Sequence, residues 1–211
     1  MTSTDTDPSL PLAPRKTRKI LIAGHVGAGK TTVLQTLFGD QALTTDARYS
    51  EAVMSGKTST TVAMDYGVID CPASNDRLHI YAIPGQERFQ FMWEILSKNA
   101  AGILLLMDAR ISKPLQAIHL YLDRILPYLH QPAGVVALNK LSNAERGQLH
   151  LPAYLRHGDL RLRLTTTDVR NQEEVLTLLR LLIGEIGQRN AMHDELSLGG
   201  IRSEAPKPSP R

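Results

Sequence analysis

The run GHVGAGKTT, residues 24 to 32, constrains the fold more than any other stretch of the chain. The apolar segment Lys19 to Ala23 precedes it, and a helix-forming stretch from Lys30 to Phe38 follows and stops at Gly39. The spacing G-x-x-x-x-G-K-[ST] therefore falls between an expected strand and an expected helix. Glycines at 24, 27 and 29 let the backbone turn tightly enough for successive N–H groups and the helix N-terminus to face one point. Such a concavity attracts an anion with several oxygens, above all a phosphate chain. Lys30 adds a point charge for it, and Thr31 a hydroxyl suited to magnesium.

Strands alternating with helices continue beyond the loop. Val62 to Ile69 and Leu78 to Ile83 read as strands joined through the turn-rich CPASNDR, and a helix follows from about Glu87 to Asn99. The short apolar runs Ala101 to Met107 and Gly134 to Leu138 are expected to be buried strands, with a helix from Pro114 to His130 between them. Leu160 to Leu164 is the last strand, and a helix from Asn171 to Gln188 with an apolar side closes the domain. The polar residues 40 to 57 read as an exposed loop or a short helix. This pattern implies a three-layer α/β P-loop NTPase fold: a mostly parallel six-stranded sheet with helices on both faces and ligands at the strands' carboxyl ends. Residues 18–190 are expected to form this domain, with flexible tails at 1–17 and 191–211 rich in Pro, Ser and charge.

Composition narrows the function. A net charge of +3, spread along the chain, does not argue for nucleic acid, and the single cysteine, Cys71, excludes an internal disulfide framework. The longest apolar run, Ile103 to Met107, is far too short to span a bilayer. Thr2 stands where myristoylation needs Gly, and the final Ser-Pro-Arg is no prenylation box. A soluble, cytoplasmic protein without an integral membrane segment is expected.

A second segment, YAIPGQERF at 81 to 89, joins the phosphate loop in pointing to one family. Together they resemble the Ras-like small GTPase superfamily, specifically its bacterial gliding-motility and conservon-type branch, over roughly residues 18 to 188. The resemblance implies GTP or GDP with Mg2+ as ligands. It assigns the nucleotide to Gly24, Val26, Gly27, Ala28, Gly29, Lys30, Thr31 and Thr32 of the loop. Thr61, with Thr60 as second candidate, matches the threonine that joins Thr31 on magnesium. Gly85 matches the glycine whose N–H meets the γ-phosphate, and Gln86 the glutamine that orients the attacking water. The large side chains Phe89, Phe91, Met92 and Trp93 are divided between core packing and a partner surface. By the same resemblance a small roadblock-type partner would act as activator, with downstream effectors beyond it.

Three positions depart from the pattern. Ala82 replaces an Asp that would hold magnesium through water, which is expected to weaken the metal by about 10–100-fold rather than abolish it. Val26 stands where Ras has Gly and would crowd the attacking water, so slow turnover is expected. In Asn139-Lys140-Leu141-Ser142 the first two residues match the guanine motif Asn-Lys-x-Asp, while Ser142 replaces the carboxylate that accepts two hydrogen bonds from guanine. The last base-facing segment, Asp168-Val169-Arg170, matches better; Asp168 would reach the base or cap the following helix. Intact Lys30, Thr31, Thr61, Gly85 and Gln86 favour a regulatory GTPase, whereas Val26, Ala82 and Ser142 favour a hydrolysis-deficient scaffold. The incomplete base motif keeps a P-loop ATPase as a third reading.

Overall fold

A computed structural model describes residues 15–39, 43–49, 60–71, 75–130 and 132–199, with the backbone course alone for 43–49, 60–64, 87 and 192–199. Its centre is β1 (Lys16–Ala23), β5 (Ala100–Asp108) and β6 (Ala133–Asn139). These strands are apolar on both faces, because helices cover both. On β1, Ile20 and Ile22 face α1 (Lys30–Phe38) and α5 (Gln172–Gly199), packing with Val33, Leu34, Val175 and Leu182. Leu21 and Ala23, one residue out of phase, face α2 (Gln90–Ser97) and α3 (Pro114–Ile125), against Trp93, Ile118 and Leu122.

The remaining strands are β2 (Leu43–Tyr49), β3 (Thr60–Cys71), β4 (Asp76–Ala82), β7 (Tyr154–His157) and β8 (Leu160–Thr167). The sheet order is β2-β3-β4-β1-β5-β6-β8-β7, eight strands rather than the six expected. The pairs from β4 through β8 are parallel, and β2–β3, β3–β4 and β7–β8 are antiparallel. Both unexpected strands are sheet edges, where pairing on one side demands little hydrophobic patterning. Part of the expected loop at 40–57 is thus β2, which pairs Leu43 through Tyr49 with Tyr66 through Thr60.

Several boundaries also differ, with β3 longer at both ends than Val62 to Ile69 and β8 running to Thr167 rather than Leu164. β1 starts at Lys16 rather than Lys19, where Arg18 is tied at 2.6 Å to the buried Asp76 of β4. A 3-10 turn, Glu87–Phe89, precedes α2. α3 stops at Ile125 and a 3-10 turn, Leu126–Tyr128, follows, because Pro127 has no N–H to continue the α-helical bonds. α5 runs well past Gln188 to Gly199. A short α4, Asn143–Gln148, was not anticipated. Residues 1–14 and 200–211 of the expected tails lie outside the described residues. Among those described, no helix is long and apolar enough to cross a membrane.

Candidate functional site

The carboxyl ends of β1, β5, β6 and β8 lie side by side, so the segments that follow them meet in space although they are far apart in sequence. After β1, Gly24 adopts φ 140°, and a Cβ there would run into the carbonyl oxygen of Leu106 on β5. Only glycine lets the loop leave the sheet so close to its neighbour. Lys30, at the start of α1, folds back over the loop and donates to the carbonyls of Gly24 and His25, each at 2.8 Å. Burial pushes this ammonium down to about 8, against the field of Asp65, which favours the charged form. His25 is half-buried, its Nδ1 has no hydrogen-bond partner among the described residues, and its pKa is lowered first by burial and then by Lys30. Ala28 is buried, Val26 is 59% exposed, and Thr31 and Thr32 occupy the first turn of α1.

Asn139 ends β6 and is 2% exposed. Its Nδ2 donates to the carbonyl of Ala28 at 2.9 Å, and its Oδ1 accepts from the Val169 N–H at 3.4 Å. Thr36 of α1 adds a bond from its hydroxyl to the Val169 carbonyl at 2.7 Å. The phosphate loop and the loop after β8 are therefore tied together by the buried Asn139 amide, with Thr36 adding a link through α1. Lys140, at φ 69°, sends its Nζ to Asp108 at 2.9 Å. The Arg110 guanidinium also clamps Asp108, at 3.0 and 2.9 Å, and with Lys140 holds that carboxyl well below the usual range.

Asp168 is clamped in the same way by Arg170, at 2.8 and 2.7 Å, which lowers its pKa to about 2. It does not cap α5. That role falls to Asn171, whose Oδ1 accepts from the N–H groups of Glu173 and Glu174. A cavity of about 590 Å³ runs between these segments. Gly27, Gly29 and Thr32 line it together with Asn139, Lys140, Asp168 and Val169.

The segment after β4 closes over the phosphate loop. A Cβ on Gly85 would lie 2.7 Å from the Gly24 carbonyl oxygen, 2.8 Å from the Lys30 Nζ and 2.9 Å from the His25 carbonyl carbon. Gly85 thus fills a cradle with no room for a side chain, directly above the lysine. Trp93 of α2 donates its indole N–H to the Pro84 carbonyl at 3.2 Å, linking this segment to α2. Trp93 and Met92 are buried, so of the expected partner-facing side chains Phe91, 36% exposed, stands out most. Gln86 is exposed, its carbonyl accepting from the Phe89 N–H at 3.0 Å, and it does not line the cavity.

Ala82 is 6% exposed and packs in the core beside Ile22 rather than facing the cavity. The backbone of Thr61 pairs with Arg48 in the part of β3 that projects beyond β4 on the phosphate-loop side. The side chains of Thr60 and Thr61 lie outside the described residues.

The loop, its lysine and a parallel sheet flanked by helices define a P-loop NTPase fold. A family model described as "Conserved hypothetical ATP binding protein" matches residues 39–189, and the chain belongs to that family. The match begins after the phosphate loop. The chain is also similar, at low identity, to Ras-related proteins. It is 27% identical to the Ras-related protein Rab-32 of Sus scrofa over 119 residues, 55% of this chain and 47% of that one. Against the Ras and EF-hand domain-containing protein homolog of Mus musculus it is 25% identical over 210 residues, 92% of this chain and 31% of that one. An uncharacterized protein of Methanocaldococcus jannaschii is 29% identical over 91 residues, 43% of this chain and 51% of that one. The chain thus spans about half or less of the length of these relatives.

Sequence reasoning missed Asp108, Arg110 and Glu145. Asp108 closes the apolar run of β5, so an acid at the carboxyl end of a buried strand was its only signal. Glu145 was legible as the fourth residue of Ser142-Asn143-Ala144-Glu145, an S-x-x-E capping pattern. Nothing local marked Arg110, since its role depends on Asp108.

Proposed function

We propose that the protein is a regulatory guanine-nucleotide-binding switch that hydrolyses GTP slowly with Mg2+. The observation that carries this reading is the bond from Asn139 to Ala28, which ties the phosphate loop to a base-facing loop across one cavity. In this reading the loop N–H groups and Lys30 bind the phosphates, and the Gly85 N–H meets the γ-phosphate. In this reading Lys30, turned onto loop carbonyls, and Gly85, packed against it with no space for a Cβ, part to admit the polyphosphate. Thr31 and Thr61 would hold Mg2+, which when bound neutralises phosphate charge. Gln86 orients the attacking water. Val26 crowds that water, and the buried Ala82 offers no carboxylate toward the metal. The Ras-like similarity supports a switch, and we extend it to the bacterial gliding-motility type, acting in the cytoplasm with a roadblock-type activator and downstream effectors.

A second reading, an adenine-nucleotide site, draws on Ser142 at the guanine position and on the family's printed description. Binding of fluorescent GTP, GDP and ATP with and without Mg2+, with Lys30→Ala as control, separates the two. Emission of Trp93, the only tryptophan, reports on the segment at Pro84. Tight Mg2+-dependent GTP binding with slow turnover is expected. Preference for ATP would replace the first reading by the second, and no nucleotide binding would leave a docking scaffold.

A further inference from the structure

Resting on the guanine-nucleotide reading, a gap remains at the base, because Ser142 has no carboxylate. The serine is engaged locally. Its N–H donates to Glu145 Oε2 at 2.7 Å, its hydroxyl donates to the same oxygen at 2.6 Å, and its Oγ accepts from the Glu145 N–H at 3.3 Å. Both residues line the cavity that Asn139 and Lys140 enter. Every hydrogen bond to this carboxylate falls on Oε2; among the described residues Oε1 receives none.

The cavity's other carboxylate, Asp168, has both oxygens taken by Arg170, and Asp108 behind Lys140 has both taken by Arg110 and Lys140. An acidic oxygen without a hydrogen bond among the described residues is therefore found in the cavity on Glu145, in the field of Arg110, three residues beyond the position that the guanine motif reserves for Asp.

We infer that Glu145 is the base-reading carboxylate of this protein, brought to the site by its bonds to Ser142. Guanine presents two neighbouring donors there, N1–H and the exocyclic amine, which Oε1 accepts with the Ser142 oxygen alongside. Adenine presents the N1 lone pair at the same edge, and a carboxylate repels it. The substitution at 142 thus relocates the acid, and guanine preference follows from Glu145.

Glu145 also stabilises the start of α4, so the test needs a readout that helix stability cannot move. Glutamine retains the capping pattern but turns an acceptor into a donor. Xanthine carries a carbonyl where guanine carries the amine, so it complements glutamine. GDP, xanthosine diphosphate and ADP are titrated into the full chain, Glu145→Gln and Glu145→Ala. We expect Glu145→Gln to lose about 10–100-fold in GDP affinity, the worth of a hydrogen bond to a charged acceptor, and to gain for xanthosine diphosphate. Glu145→Ala loses guanine preference without the xanthine gain. A GDP to xanthosine diphosphate ratio unchanged in Glu145→Gln overturns the inference and leaves Glu145 a helix cap, with the guanine reading intact. A wild-type protein that binds no guanine nucleotide overturns that reading, and the inference with it.

Discussion

Replacing Asn139 with alanine tests whether one buried amide holds the two loops of the site together. The substitution removes the donor to the Ala28 carbonyl, bonded at 2.9 Å, and the acceptor for the Val169 N–H, bonded at 3.4 Å. Ala28 is 0% and Val169 3% exposed, so neither group recovers a full water partner. An orphaned buried polar group costs about 1–3 kcal/mol. The shorter bond deserves most of that range and the longer one its low end, giving about 2–4 kcal/mol. The cost is one of folding, and a bound ligand would add its own contribution to stability. Urea unfolding in nucleotide-free buffer is therefore the assay, with m unchanged and the midpoint lowered. Asn139→Asp is expected to cost at least as much, since it sets a carboxylate oxygen against the Ala28 carbonyl. Asn139→Ala within about 0.5 kcal/mol of wild type, the range of an inconsequential surface change, would refute the bridging role.

Two further outcomes follow from the phosphate loop. Lys30 has a folded pKa of about 8 against 10.5 unfolded, so its stability contribution is complete above about 10.5 and is lost as pH falls through about 8; wild type should gain roughly 2 kcal/mol relative to Lys30→Met between about pH 7 and pH 9.5 in urea titrations, and a flat or falling difference would count against the burial of the charge. Gly85→Ala puts a methyl against Gly24 and His25, so we expect a loss of about 1–3 kcal/mol and a shift in Trp93 emission as the segment withdraws; wild-type stability and emission together would show that Gly85 is not seated on the loop.

The elements visible in the sequence were those that two layers of helices force to be apolar. β1, β5 and β6 read as continuous hydrophobic runs, and the strand–loop–helix at 16–38 carried its own glycine signal. The edge strands β2 and β7 did not, for each pairs on one side and needs no such pattern. The helix end at Gly39 was legible, whereas those of α3, where Pro127 interrupts the expected helix, and of α5, which runs on to Gly199, were not.

The candidate site divides along the same line. The sequence by itself determined the chain order of the α/β fold and the presence of a phosphate-cradling loop, because backbone freedom at Gly24, Gly27 and Gly29 and the charge of Lys30 act between near neighbours. Tertiary structure alone decided that Asn139 would join Ala28 to Val169 and that Lys140 would reach Asp108. Hydrogen bonds and ion pairs act over about 3 Å, and only the parallel order of β1, β5, β6 and β8 brings these distant residues within that reach.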